Sequence, residues 1–396
     1  MFFFKPAGLG AGAVSEAFRR WSGKTENHEG SLFLSEANVE RLVEKLSKMR
    51  GAALKMGQML SIQDSLFVSK KIEEILSRVQ NSANYMPIKQ LNKTMASQFG
   101  DDWRFNFKSF DDIPFAAASI GQVHLAELNE TLAKKYGFSK VAVKVQYPGI
   151  SESIDSDLSN IQTLLIMSKL LPKGLYLDNT IKVARKELGM ECDYIREAES
   201  TKKFLDFFKD SQIFSVPNII DELSDKKVLT TEFLSGLPIS KAHELDQETR
   251  DKIGLIDFGA SLGFEKRFLD LYMRVLKTAV DGDREMCAHW SKELGFLTGF
   301  ESETMKQAHV DSVMFLGEPF KYPGQYHFGN QDVTSKVKSN IPTIINERLT
   351  PPPDETYSLH RKLSGAFLLC SKLSARVNCK DMFDEFSNNY QYSKNS

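Results

Sequence analysis

The sequence predicts an α+β fold with two lobes. Three observations carry this prediction: helical apolar spacing up to about residue 110, a change to a period of two around Val123 and Val141, and a return to helical spacing from Arg267 onward. Ser35 stands as an N-cap before Val39, Leu42, Val43, Leu46 and Met49, which recur every three to four residues. Pro87 opens the next helix, whose Leu91, Met95 and Phe99 share one face and whose end is marked by Gly100. Val123 and Leu125 then alternate with polar residues, and Val141, Val143 and Val145 do the same up to Pro148, which reads as a pair of strands. A charged helical stretch from Asp178 to about Asp210 follows, then strands at Val228–Phe233 and Leu255–Phe258. The remainder is mostly helical, broken at Pro351–Pro353. The divisions expected are 1–30, 31–110, 111–235 and 236–396.

Composition narrows the function classes. With 41% hydrophobic residues in 396, the chain can bury a sizeable core. Its 51 Lys and Arg balance 52 Asp and Glu, so it lacks the basic excess that phosphate neutralisation needs, and no nucleic-acid partner is expected. Cys192, Cys287, Cys370 and Cys379 form no C-x-x-C pair and read as packing thiols. No apolar run reaches the ~18 residues of a membrane helix. The N-terminus shows neither a transit-peptide pattern nor a secretory apolar core, so location is not expected to be legible from an address signal.

The chemistry resides in three parts that occur in a fixed order. A strand V-A-V-K ends on Lys144, an acid-rich helix carries Glu197, and Asp257-Phe258-Gly259 follows the apolar Leu255-Ile256. Taken singly, a strand lysine is a solvated charge and D-F-G a chance tripeptide. In this order they match a kinase, where the lysine holds the α/β-phosphates, the helix glutamate braces it and the aspartate ligates Mg²⁺. Where a glycine-rich phosphate loop would stand, the chain has Ala116, Ala117, Ala118 and Ser119. These small residues still admit close backbone approach, and Ser119 adds a hydroxyl donor.

Five segments carry a family resemblance: G-A-A-L-K-M-G-Q (Gly51 to Gln58), F-A-A-A-S-I-G-Q-V-H (Phe115 to His124), V-A-V-K-V-Q-Y-P-G (Val141 to Gly149), E-C-D-Y-x-R-E-A (Glu191 to Ala198) and L-I-D-F-G-A (Leu255 to Ala260). The chain resembles the UbiB family, and within it the mitochondrial aarF-domain-containing kinases of coenzyme Q biosynthesis. The resemblance implies a bilobal protein-kinase-like fold with an N-terminal helical KxGQ extension, in which Lys55 and Gln58 lie on a helix covering the cleft and regulate it. It also implies ATP or ADP with Mg²⁺ as cofactors. Glu191 and Asp193 would meet that lysine and the metal, Asp257 would hold the metal, Glu197 would pair with Lys144, and the backbone of Thr231, Glu232, Phe233 and Leu234 would hold the adenine. The implied setting is the matrix face of the inner mitochondrial membrane, among coenzyme Q biosynthetic proteins, with monomer and homodimer both left open. By helical spacing, Asp193 and Glu197 share a face while Glu191 lies about 120° round.

One part of the set is missing. Only about 25 residues separate Glu232 from Asp257, where a kinase places a lobe-crossing helix and a catalytic loop. A ~20-residue helix of about 30 Å does not fit there together with its loop. In the family this stretch ends in D-P-N-W, whereas here Ile253 runs directly into Gly254-Leu255-Ile256-Asp257. The expectation is a lower lobe truncated by an internal deletion, from a skipped exon or a misjoined gene. No catalytic-loop aspartate or asparagine would remain, since the D-x-x-x-x-N matches at Asp155 and Asp384 stand out of order. Two functions follow as alternatives: an ATPase or small-molecule kinase, or a catalytically dead nucleotide-binding or scaffold protein.

Gly8 to Ala13 approximates a dinucleotide fingerprint, but no βαβ unit surrounds it. Val14, Phe18 and Trp21 beside Arg19 and Arg20 read instead as a helix lying on a membrane surface.

Overall fold

The computed structural model describes residues 85–168, 176–237, 241, 253–330 and 332–394. They form two compact units, one from residues 85–161 and 184–262, the other from 162–183 and 263–394.

The first unit is built on an antiparallel sheet: β1 (Phe107–Phe110), β2 (Ala116–Ala117), β3 (Gly121–Leu128), β4 (Lys140–Gln146) and β6 (Val228–Glu232). The order is β1-β3-β4-β6, with β2 paired to β3. Helix α1 (Ile88–Phe99) packs on one face; its Leu91 and Met95 join Val141, Val143 and Val145 in one apolar cluster, all fully buried. Because side chains alternate across a strand, burial of the three valines turns Lys144 to the opposite face. Gly100 ends α1 with φ 84°, in the region glycine favours. Helix α2 (Glu130–Tyr136) joins β3 to β4 and is N-capped by Asn129, whose side chain accepts from Leu132 N. Helices α3 (Ile150–Ser168), α4 (Leu177–Glu191) and α5 (Tyr194–Phe207) follow β4. A short parallel pair joins β5 (Phe214–Ser215) to β7 (Ile253–Gly254).

Three sequence expectations are corrected here. The last short strand lies at Ile253–Gly254, and Leu255–Phe258 is irregular. The charged stretch is two helices, broken at Cys192–Asp193. In β3 the alternation is right but the faces are reversed: Gln122 and His124 are fully buried, while Val123 and Leu125 are less so. The reversal is sustained because each polar atom has a partner. Gln122 Oε1 accepts from Met86 N at 2.8 Å, Gln122 Nε2 donates to His124 Nε2 at 2.8 Å, and His124 Nδ1 then donates to the Asp111 carbonyl at 2.7 Å. Burial holds the His124 pKa below its usual value, which keeps this neutral tautomer.

The second unit is helical: α6 (Lys266–Asp281), α7 (Arg284–Leu294), α8 (Glu303–Lys321), α9 (Val333–Glu347), α10 (Asp354–Lys372) and α11 (Cys379–Asn389), with a small pair β8 (Tyr326–His327) and β9 (Arg376–Val377). Asp283 and Ser302 cap α7 and α8 by accepting from Met286 N and Met305 N. Helices α6 and α8 meet at Gly317, where an added Cβ would stand 2.9 Å from Ala279 Cβ.

The chain's last described residues fold back on α6. Tyr390 Oη donates to the buried Asp270 carboxylate at 2.8 Å, Ser393 N does so at 3.0 Å, and Lys266 Nζ pairs with it at 3.0 Å. Burial alone would raise this carboxyl, but the hydrogen bonds from Ser393, Lys266 and Tyr390 outweigh it and hold Asp270 well below the usual carboxylate range. A depressed folded pKa means that the stabilisation is complete above the unfolded value of about 3.9 and is lost as pH falls below it. Asp270→Asn should therefore destabilise the helical unit by about 1.5–3 kcal/mol near pH 7. A denaturant melt repeated below about pH 4 should show the difference from the parent shrinking.

Candidate nucleotide site

Lys144 on β4 and Glu197 on α5 form the centre of the site. Lys144 Nζ lies 2.8 and 2.9 Å from the two Glu197 carboxylate oxygens, with both side chains largely buried. The Tyr194 ring lies under the ammonium, its centroid 4.9 Å from Nζ. Burial opposes the charge on Lys144, but Glu197 and Asp257 outweigh it and raise its pKa above the ordinary lysine value. Glu197 is pushed up by burial, and Lys144 offsets this only in part.

Asp257 completes the group from a different kind of position. Its Oδ2 is 3.8 Å from Lys144 Nζ, yet its side chain is 68% exposed. The other oxygen accepts from Gly259 N at 3.0 Å. Phe258 is buried and packs against Phe204 of α5, with ring centroids 4.8 Å apart. Gly259 sits close to the carboxylates: a Cβ there would lie 3.1 Å from Glu197 Oε2 and 3.4 Å from Asp257 Oδ1.

The small-residue segment is a tight hairpin. Ala116 and Ala117 pair with Val123 and Gln122, and Ala118 N donates to the Gly121 carbonyl at 2.8 Å, which puts Ser119 at the tip. Gly121 admits no side chain, since a Cβ would meet the Val145 carbonyl oxygen at 2.5 Å and Tyr194 Oη at 2.8 Å. Thr231 and Glu232 end β6, and Phe233 and Leu234 follow it. Glu232 N and Phe233 N donate to the carbonyls of Asn218 (2.8 Å) and Lys140 (3.0 Å). Among the described residues, none takes up the N–H of Leu234.

The acids assigned to metal come from three different positions, and Glu191 and Asp257 both act on the charges of Lys144 and Glu197. Asp193 is the N-cap of α5 and accepts from Arg196 N at 3.0 Å, so it does not share a helix face with Glu197; Glu191 ends the preceding helix. Among the described residues no three His, Cys, Asp or Glu side chains form a metal-binding group. Lys55 and Gln58 lie outside the described residues, as do residues 1–30 and the helix begun at Ser35.

Sequence reasoning quoted E-C-D-Y-x-R-E-A but gave Tyr194 and Arg196 no role. Tyr194 underlies the ammonium. Arg196 donates to the carbonyls of Ser261 (2.8 Å), Met190 (3.1 Å) and Gly259, so it ties the segment after Asp257 to α5. Their place inside the motif was the only signal available. Removing one partner of a buried pair strands the other charge, so Glu197→Ala should cost about 3–5 kcal/mol in a denaturant melt. The Lys144→Met, Glu197→Leu double variant should cost clearly less than the two single changes summed.

With this geometry in view, comparison with known proteins is specific. Residues 78–254 match the ABC1 atypical kinase-like domain. The chain is 45% identical over 430 aligned positions to the mitochondrial atypical kinase coq-8 of Caenorhabditis elegans, covering 97% of this chain and 56% of that protein. It is 44% identical over 417 positions to the mitochondrial atypical kinase COQ8 of Saccharomyces cerevisiae, covering 96% of this chain and 82% of the yeast protein. The chain thus spans little more than half the length of the worm relative. Both alignments exceed the chain's own 396 residues, so these relatives carry residues that it lacks. A solved structure, Rv3197 of Mycobacterium tuberculosis in complex with erythromycin, shares the fold with a TM-score of 0.55 at 22% identity, covering 88% of this chain and 95% of that one. The chain belongs to the mitochondrial COQ8 family of atypical kinases, built on the ABC1 kinase-like domain.

Proposed function

We propose that this chain is a nucleotide-binding member of its family, holding ATP or ADP with Mg²⁺ at Lys144, and that at its present length it binds without turnover. Its setting is coenzyme Q biosynthesis in the mitochondrion. The observation that carries the proposal is the buried Lys144–Glu197 pair with an exposed Asp257 carboxylate 3.8 Å from the lysine.

The residues fit the group. Lys144 would meet the phosphate charge while Glu197 fixes its ammonium, and Ser119 at the hairpin tip would donate to the same oxygens. The Leu234 N–H would meet the adenine edge. Asp257 offers an exposed carboxylate, enough for a Mg²⁺ otherwise held by phosphates and water. When bound, the nucleotide would supply the transferable phosphoryl group. Glu191 and Asp193 would meet Lys55 of the KxGQ segment and the metal-nucleotide site.

The absence of turnover is supported by the short interval from Glu232 to Asp257, by the end of the family match at residue 254, and by alignments longer than the chain itself. Phosphoryl transfer needs a residue that positions the nucleophile and a second metal ligand, and the interval has no room for the loop that bears them. With the loop in place, the reading is an ATPase or small-molecule kinase. Without it, the chain acts through nucleotide-dependent contact with coenzyme Q biosynthetic proteins at the matrix face of the inner membrane, its N-terminal helix lying on the lipid.

Mg-ATP should bind the chain as it stands, and Lys144→Ala should weaken that binding about tenfold, or 1.4 kcal/mol, in a calorimetric titration. Hydrolysis should stay at background, and should appear when a relative's loop segment is inserted between Ile253 and Gly254. Undiminished binding by Lys144→Ala removes the lysine from the site, and turnover by the uninterrupted chain removes the account of the missing loop.

A further inference from the structure

Within the helical unit, α6, α8, α9 and α10 line most of a partly open pocket of about 240 Å³ that is remote in sequence from the nucleotide site. Its wall is chiefly aliphatic, with Val275, Val313, Leu316, Ile341 and Ile344 among the lining residues. Two polar side chains in its wall, Arg348 and His309, give this otherwise apolar space a place for a polar group. Arg348 is half-buried, its pKa lowered by burial, and among the described residues no carboxylate pairs with it; the groups acting on its charge are the phenols of Tyr357 and Tyr176. His309 is 8% exposed, and its Nε2 has no hydrogen-bond partner. Burial, and then the charge of Arg348, bring both His309 and its neighbour His360 to about 4, so both rings are neutral near pH 7.

We propose that this cavity binds a small amphiphilic anion, its carboxylate paired with Arg348 and hydrogen-bonded by His309, its unbranched apolar tail lying along the aliphatic wall. A carboxylate matches the planar fork of a guanidinium, and a desolvated pair of this kind is stronger than one in water. It accepts only, so neutral His309 would donate from Nε2. An uncharged ligand of the same shape would leave Arg348 unpaired, and a cation would be repelled. A cavity of 150 Å³ holds benzene, so this one accommodates a ligand of about ten non-hydrogen atoms. The inference does not depend on the nucleotide reading.

The test uses the full chain and three ligands of one length: sodium octanoate, 1-octanol and octylamine. Octanoate should bind once per chain in a calorimetric titration and raise the melting temperature. Octanol should bind about tenfold more weakly, and octylamine should not saturate. Arg348→Gln should bring octanoate to the level of octanol without altering octanol itself, and Ile341→Trp, which fills the tail space, should abolish both while circular dichroism is unchanged. Equal affinity for octanoate and octanol, no saturable octanoate binding, or full binding by either variant would overturn the proposal. Should Arg348→Gln fail to fold, the comparison of the three ligands on the unaltered chain decides alone.

Discussion

An ammonium group withdrawn from water persists only with a carboxylate beside it, and the Lys144–Glu197 pair is the constraint on which the first unit is organised. It fixes where α5 lies against β4. For β4 to turn its lysine to that face, the valines between must be buried on the other, which is the work of Leu91 and Met95 on α1. Two glycines follow from the same constraint. Gly259 has no Cβ to crowd the Glu197 carboxylate, and Gly121 lets β3 pass close to the Val145 carbonyl and the Tyr194 hydroxyl.

Against this buried half, the solvent half of the site is open. Asp257 is mostly exposed, Ser119 stands at a hairpin tip, and the amides of Glu232 and Phe233 are already engaged within the protein. Such an arrangement has one ammonium set between two carboxylates and little else with which to direct chemistry. That is the arrangement the proposed reading, binding without turnover, asks for.

Much of this was legible in the sequence wherever a periodic pattern and its burial coincide. Val141, Val143 and Val145 announced β4 and its faces, and Gly100 ended α1 where expected. β3 was misread on its faces because Gln122 and His124 look like solvent-facing residues, and only their partners at Met86 and Asp111, 36 and 13 residues away, make burial tolerable. The helix break at Asp193 was missed because a capping aspartate and a helical one share the same letter. The pairing of Lys144 with Glu197 came from motif order, since no local rule joins residues 53 apart. The cavity beside Arg348 left no trace in the sequence, as its wall comes from four helices whose residues each read as ordinary core.

Arg196 and Glu197 are consecutive on α5, yet they reach in different directions: one to the carbonyls of Gly259 and Ser261, the other to the sheet through Lys144. The helix therefore works as a yoke. It cannot slide or tilt so as to release the lysine without also dragging the backbone that presents Asp257. Anything that presses on α5 would be felt at Lys144 and at Asp257 together, and the two sides would move as one piece.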